Sequence, residues 1–422
     1  MQSAPNVVWI VTTQWRAQAT GYAGDPNVRT PHLDRLARAS VNFRQAVTPH
    51  PFGPFARAAM LTGRQSPENG VIDYFDPLPS TTSTIAHDLA ARGYETAFFG
   101  KWHLGKRDAS APIVGETHAK MIIPPGDRGG FEFWEGFESG FLLNDPWLHG
   151  SRLQTPTQIF GYQSDVLCER AGTFIAKRNA SIGREPAIGV SAPVRPLFAV
   201  VSLEAPHPPY AAASAASVPP DLNHLSLRAN VPVGGEIEAK ARRDLAGYSA
   251  HIEATDRAIG VLLNATSLSN TVVVFTSVHG DMHGSHGLFR KGWPYEESIR
   301  VPLLVRFPGP AGVGSSDDDT AISLLDLPEM TRAWADGNPS PPRPTLSFVS
   351  MPSAPPFPLQ CDRRWQGVRT PRHKMIVNAD GSPWLYFDLE KDPFEQRNLV
   401  GDSSRADEIN ALKAVISAGS VQ

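Results

Sequence analysis

Pro5-Asn-Val-Val-Trp-Ile-Val-Thr-Thr-Gln-Trp-Arg16 is a short apolar run that ends abruptly on polar side chains. Val7–Val11 is too short for a helix and rich in β-branched residues, which predicts a strand buried on both faces. Working outward, similar runs return at Tyr94–Phe99, Phe198–Leu203, Thr271–Thr276 and Pro302–Phe307. Helical patterns lie between them. Thr30 precedes Pro31 as an N-cap, with Leu33, Leu36 and Ala37 facing inward. Ile85 and Leu89 make a second apolar face, ended by Gly93. Leu245, Tyr248, Ile252, Ile259 and Leu263 make a third at helical spacing. This alternation predicts an α/β fold: a large mixed, mostly parallel sheet flanked by helices. Ligands of such sheets bind at the carboxyl ends of strands, where Thr13, Lys101, His207 and His279 fall.

Pro339 to Pro358 contains eight prolines and little periodicity. It reads as a linker, giving a main domain over 1–338, a connection over 339–360 and a small α+β subdomain over 361–422. Val368–Val377, Trp384–Asp388 and a final helix around Ala406–Ile416 build that subdomain. No internal repeat is evident.

The 422 residues carry a net charge of −3, with 41% hydrophobic and 19% charged side chains. No long basic block exists to attract nucleic acid or a membrane surface. No stretch approaches the ~20 apolar residues of a membrane span. Val7–Val11 is too short for the core of a secretory signal. The chain therefore reads as soluble and cytoplasmic. Its two cysteines, Cys168 and Cys361, are far apart and predict neither a disulfide framework nor a Cys-rich zinc site.

Thr48-Pro-His-Pro-Phe-Gly-Pro-Phe-Ala-Arg-Ala-Ala-Met-Leu-Thr-Gly-Arg64 carries a more specific signal. It resembles the nucleophile segment of sulfatases, Cys (or Ser)-x-Pro-x-Arg followed by Ala-x-Leu-x-Thr-Gly-Arg. Pro5–Arg16 is similar to that family's opening strand and metal loop. Thr30-Pro-His-Leu-Asp-Arg-Leu-Ala37, Gly100-Lys-Trp-His-Leu-Gly105 and Ala205-Pro-His-Pro-Pro-Tyr210 resemble further family segments. So do Phe275-Thr-Ser-Val-His-Gly-Asp-Met-His-Gly-Ser-His-Gly287, Lys291–Ser298 and Leu385–Pro393. The matches follow the family's order along nearly the whole chain. They imply the alkaline phosphatase-like fold and say less about activity.

The resemblance also implies what is missing. The family oxidises its Cys or Ser to formylglycine, whose hydrate attacks sulfate, and here that position is Gly53. The family holds calcium, sometimes magnesium, with carboxylates that here become Thr13, next to Gln14, and Val278, before His279. A hard divalent cation needs about six oxygen ligands, several of them anionic. The expectation is therefore no cofactor: neither calcium nor formylglycine. Arg57, Lys101, His103, His207 and Lys291 fall on positions that hold sulfate, the formylglycine or the leaving-group oxygen. With His279 they predict a metal-free, net positive oxyanion pocket, with acid–base work assigned to His103 and His207. The loops Asp108–Pro125 and Glu138–Pro156 are expected to shape it.

Other residues point to other chemistry more weakly. His279, His283 and His286 invite a zinc reading, but no Cys or carboxylate pattern completes a tetrahedral site. Cys361 lacks the Cys-x-Pro-x-Arg proline. Thr13 or Thr48 as an alternative nucleophile has no evident activating base. Three functions follow. The favoured one is a repurposed enzyme that expels sulfate from a sulfated or phosphorylated small molecule by elimination or intramolecular displacement. The alternatives are a catalytically dead homologue that binds an anionic ligand or partner, and an ordinary sulfuric ester or phosphonate hydrolase.

Overall fold

The computed structural model describes residues 4–182, 194–309, 315–339, 344–355 and 357–419. Among them, ten strands form one sheet. Its order is Ser316–Asp318, Val41–Phe43, Leu303–Arg306, Thr271–Ser277, Asn6–Thr12, Leu197–Ser202, Glu95–Lys101, Phe133–Phe137, Trp147–Gly150 and Thr157–Gln158. The five strands from Thr271–Ser277 to Phe133–Phe137 run parallel, while Leu303–Arg306 and Trp147–Gly150 are antiparallel to their neighbours. Every residue from Val7 to Thr12 is buried. Val7, Trp9 and Val11 enter one hydrophobic core and Val8 and Ile10 the other, so helices cover both faces.

Register then brings the chemistry together. Thr12 lies beside Ser277, Val11 beside Ser202, and Ser202 beside Gly100. These strands end at one edge, and the residues that follow them share one floor. Gly100 is needed for that alignment: its φ is +98°, and a Cβ would stand 2.1 Å from the Ser202 carbonyl oxygen.

Strands and helices appear where the apolar runs predict them, at Asn6–Thr12, Glu95–Lys101, Leu197–Ser202, Thr271–Ser277, Leu303–Arg306, Pro31–Ala37, Ile85–Ala91 and Gly235–Ala265. Gly53–Thr62 is a further helix, with Pro54 in its first turn and Gly63 at φ +70° stopping it.

The stretch read as a linker corrects the expectation. Its residues 340–343 and 356 lie outside the described ones, but Ser347–Met351 is a strand paired antiparallel with Trp365–Arg369. Alternate burial of its five residues supplied a strand signal, which the flanking prolines obscured. With His373–Asn378 and Pro383–Asp388 it completes a four-stranded antiparallel sheet. Helix Ala406–Gly419 packs Ile409 and Ile416 on Val368, Met375, Val377 and Tyr386 of that sheet. Trp365, Ile376, Leu385 and Phe387 on its opposite side join the main core. Cys168 and Cys361 are buried free thiols. No described helix is long and apolar enough to cross a membrane.

Candidate active site

A cavity of about 320 Å³ opens at the carboxyl edge of the sheet. Thr13, Gly53, Lys101, His103, His207, His279 and Lys291 line it, so the sequence-predicted residues do converge. Ile113 and Val114, from one of the loops expected to shape it, and Phe141, from the other, form part of its wall. Phe52, Tyr74 and Phe357 add aromatic surface.

Gly53 is the first residue of its helix, and the space beside it is already used. A Cβ on residue 53 would stand 2.8 Å from Nδ1 of His103. The imidazole thus reaches toward the place where the family carries its nucleophile. Arg107 donates to its Nε2 at 2.8 Å, and Nδ1 has no partner.

Arg57 is absent from the cavity wall. Its guanidinium donates to the Lys101 carbonyl at 3.1 Å, to Ser202 Oγ at 2.7 Å and to Thr13 Oγ1 at 2.7 Å. It braces three strand ends from behind, which corrects the expectation that it grips the anion directly. The hydroxyls it touches are also spent: Thr13 donates to the Leu203 carbonyl at 3.0 Å, and Ser202 to the Lys101 carbonyl at 2.7 Å. Thr48 donates to the His50 carbonyl. None of the three is free to act as a nucleophile.

Lys101 is fully buried and donates to Glu204 Oε1 at 2.5 Å, with its ammonium 4.4 Å from the Phe141 ring centre. Burial pulls its pKa down to about 8, opposed by the Glu204 charge. Lys291 has a different setting. It donates to Gln14 Oε1 at 2.7 Å and His207 Nε2 at 2.9 Å, and burial followed by repulsion from Lys101 lowers its pKa well below the ordinary value.

The structure supplies acids that motif matching missed. Glu204 partners Lys101, Glu138 lies 3.3 Å from Arg107, and Asp281 takes hydrogen bonds from Gln14 and Tyr210. Arg290 also lines the cavity. These three carboxylates offset only part of the charge of Arg57, Lys101, Arg107, Arg290 and Lys291, and Arg57 and Lys291 have no direct carboxylate partner. Asp281, two residues after His279, and Arg107, four after His103, were within quoted or adjoining motifs. Glu138 and Glu204 gave no sequence signal.

Burial lowers the pKa values of His103, His207 and His279 well below that of an ordinary histidine, so all three rings are neutral at neutral pH. A neutral ring can still accept or donate a proton, so the acid–base work expected of His103 and His207 turns on which ring nitrogens are free. Nδ1 of His207 donates to the Pro208 carbonyl at 2.7 Å and Nε2 accepts from Lys291, so neither nitrogen is free. His279 donates from Nδ1 to the Gly280 carbonyl at 2.9 Å, which leaves an unpartnered Nε2 lone pair.

These donors do not fit a calcium ion. Gln14 is engaged by Lys291 and Asp281, Asp281 also accepts from Tyr210 and the His283 amide, and the Val278 side chain offers no oxygen. Nor do the histidines converge as a zinc site. His283 packs on Tyr210 and Tyr248, whereas His286 stacks on Tyr295 near Glu297 and Glu395. Arg228, Asn230 and Lys374 already engage those two carboxylates.

Residues 5–336 match the sulfatase family model. The chain belongs to the sulfatase family. It is 34% identical over 427 residues to an ulvan-active sulfatase of Formosa agariphila, covering 94% of this chain and 77% of that one. It is 25% identical over 487 residues to an arylsulfatase of Clostridium perfringens, covering 98% and 93%. Among solved structures, a putative sulfatase, yidJ of Bacteroides fragilis, superposes with a TM-score of 0.81 at 22% identity, covering 99% of this chain and 96% of that one. BT4656, solved with its substrate D-glucosamine-2-N,6-O-disulfate, gives 0.77 at 21%, covering 99% and 97%. The latter two likenesses show that this sulfatase-family chain shares their fold over nearly its whole length.

Proposed function

We propose that this sulfatase-family chain is an enzyme that needs neither metal nor formylglycine and expels sulfate from a sulfated small molecule by breaking the carbon–oxygen bond. One observation carries the reading: the His103 imidazole occupies the approach to residue 53, and Thr13 and Ser202 donate to backbone carbonyls. Among the described residues the Tyr74 hydroxyl is a further one at the cavity, and it lies 3.4 Å from His103 Nε2.

The remaining groups suit a leaving-group reaction. The base is the free Nε2 of His279. In elimination it takes a proton from the carbon beside the ester-bearing carbon. The C–H electrons form the double bond, and sulfate departs with the C–O pair. In intramolecular displacement it instead takes the proton of a substrate hydroxyl, whose oxygen attacks the ester-bearing carbon as sulfate leaves. Lys101, Lys291 and the His103 ring stabilise the departing oxygens, a service that needs no metal. Arg57 acts indirectly by holding Lys101 and Thr13 in register. A phosphate monoester has a similar tetrahedral oxyanion and would be held by the same groups.

The test is sulfate release by chelator-treated protein in oxygen-18 water, using sugar sulfates with a neighbouring hydroxyl or an acidified C–H. Unlabelled sulfate supports carbon–oxygen cleavage. Labelled sulfate, or hydrolysis of 4-nitrophenyl sulfate, which has no elimination route, establishes ordinary hydrolysis. Saturable binding of these esters without product makes the chain a binding protein.

A further inference from the structure

Two groups meet His103 Nε2: the Tyr74 hydroxyl at 3.4 Å and, closer, Arg107, which adjoins the Gly100–Gly105 motif. Arg107 donates from Nη1 to His103 Nε2 at 2.8 Å, and its ring-facing side stacks on Tyr74 at 4.3 Å. Its Nε lies 3.3 Å from Glu138 Oε1, with both side chains buried. Glu138 is fixed in turn: Oε2 accepts the Gly105 amide at 3.0 Å, and its backbone carbonyl accepts the His103 amide at 2.9 Å. Arg107 also donates to the Tyr74 carbonyl. Arg107 is thus held by the His103 ring, the Tyr74 carbonyl and the charge of Glu138.

Its chemical effect follows from the donor inventory. A guanidinium has five N–H groups and no acceptor. At 2.8 Å from Arg107, His103 Nε2 has to present its lone pair. A neutral ring then carries its proton on Nδ1, the atom without a partner, 2.8 Å from where a Cβ on residue 53 would stand. A buried N–H without an acceptor is costly, and an oxygen of a bound anion satisfies it.

We infer that Arg107, steadied by Glu138, is a positioning residue that fixes His103 as its Nδ1–H tautomer and aims that N–H at an anion oxygen in the cavity, with the ring seated where a side chain on residue 53 would otherwise stand. His103 is therefore a hydrogen-bond donor to a sulfate oxygen and not a base. Gly53 has a positive use on this account, since any side chain there displaces the donor. The inference rests on the reading that this cavity holds a sulfate group, but not on turnover.

Nitrogen-15 NMR of ring-labelled histidine reads the tautomer directly in the unliganded protein, with His103 assigned by its loss in His103→Gln. Wild type should show a protonated Nδ1 and an unprotonated Nε2. Arg107→Lys, which keeps a pure donor, should retain this pattern and bind inorganic sulfate within about threefold of wild type. Arg107→Gln can accept as well as donate and so releases the constraint; an Nε2–H population should appear and sulfate binding should weaken, by up to about tenfold, the worth of one hydrogen bond. Gly53→Ala leaves Arg107 intact and should weaken sulfate binding to a similar degree, which covers the case of a poorly folded Arg107 variant. An Nε2–H ring in wild type overturns the inference, as does a tautomer and sulfate affinity unchanged in Arg107→Gln. An Nδ1–H ring with sulfate bound but no ester cleaved leaves it standing and removes the proposed reaction instead.

Discussion

Lys101 and Lys291 stand in one cavity and are both buried, but only Lys101 has a carboxylate. Lys101 is half of an ion pair whose partner, Glu204, is further held by Gln163 at 3.1 Å. Lys291 rests on neutral acceptors, Gln14 and His207. The difference teaches how a protein divides structural from ligand-directed charge. A paired cation is largely satisfied before any ligand arrives. An unpaired one is under-solvated and gains most from an incoming anion.

The comparison breaks most visibly in stability. Lys101→Met leaves the Glu204 carboxylate buried without its partner and should cost about 3–5 kcal/mol in urea unfolding. Adding Glu204→Gln should recover much of that loss. Lys291→Met strands no charge and should cost less, about 1–3 kcal/mol, the range for buried polar partners left unmade. If the two single variants are equally destabilised, the distinction between the lysines fails.

Affinity should run the opposite way. Lys291→Met should weaken sulfate binding in calorimetry by about tenfold or more, equivalent to a charge-assisted hydrogen bond. A smaller effect follows from pH. The Lys101 pKa is pulled down to about 8, so its protonated, anion-holding form is lost as pH rises through that value. Sulfate affinity should therefore decline above pH about 8. Stability responds with the opposite sign: between about 8 and the ordinary lysine value the unfolded chain holds the extra proton, and this group's contribution rises with pH.

Calcium should produce the smallest effect. A ligand that binds the folded state raises the melting temperature by mass action. With Gln14 and Asp281 engaged by protein partners, millimolar calcium should leave the melting temperature unchanged in a thermal scan. A clear upward shift would show that the folded chain binds calcium and would overturn the metal-free reading.

Much of the sheet was legible because buried parallel strands leave continuous apolar runs, as at Val7–Val11 and Thr271–Thr276. Ser347–Met351 was not legible: five residues of alternating burial are a weak signal beside so many prolines. The site residues were found through their segments, and all but Arg57, Gln14 and Val278 reach the cavity wall, together with residues of the two loops expected to shape it. Their roles were less legible. His207 looked like an acid–base residue until both ring nitrogens proved engaged, and His279 looked like an anion holder until its Nε2 proved free.

By itself the sequence determined the family, the fold class, and the absence of a side chain at residue 53 and of carboxylates at 13 and 278. These are matters of residue identity along one chain. Only the tertiary structure decided who answers whom: Glu204 for Lys101, Glu138 for Arg107, Gln14 for Lys291, and His103 facing Gly53. The reason is geometric. Strand register and loop closure bring residues tens to hundreds of positions apart within 3 Å or so, and hydrogen-bond direction then fixes charge and tautomer in ways that no local pattern encodes.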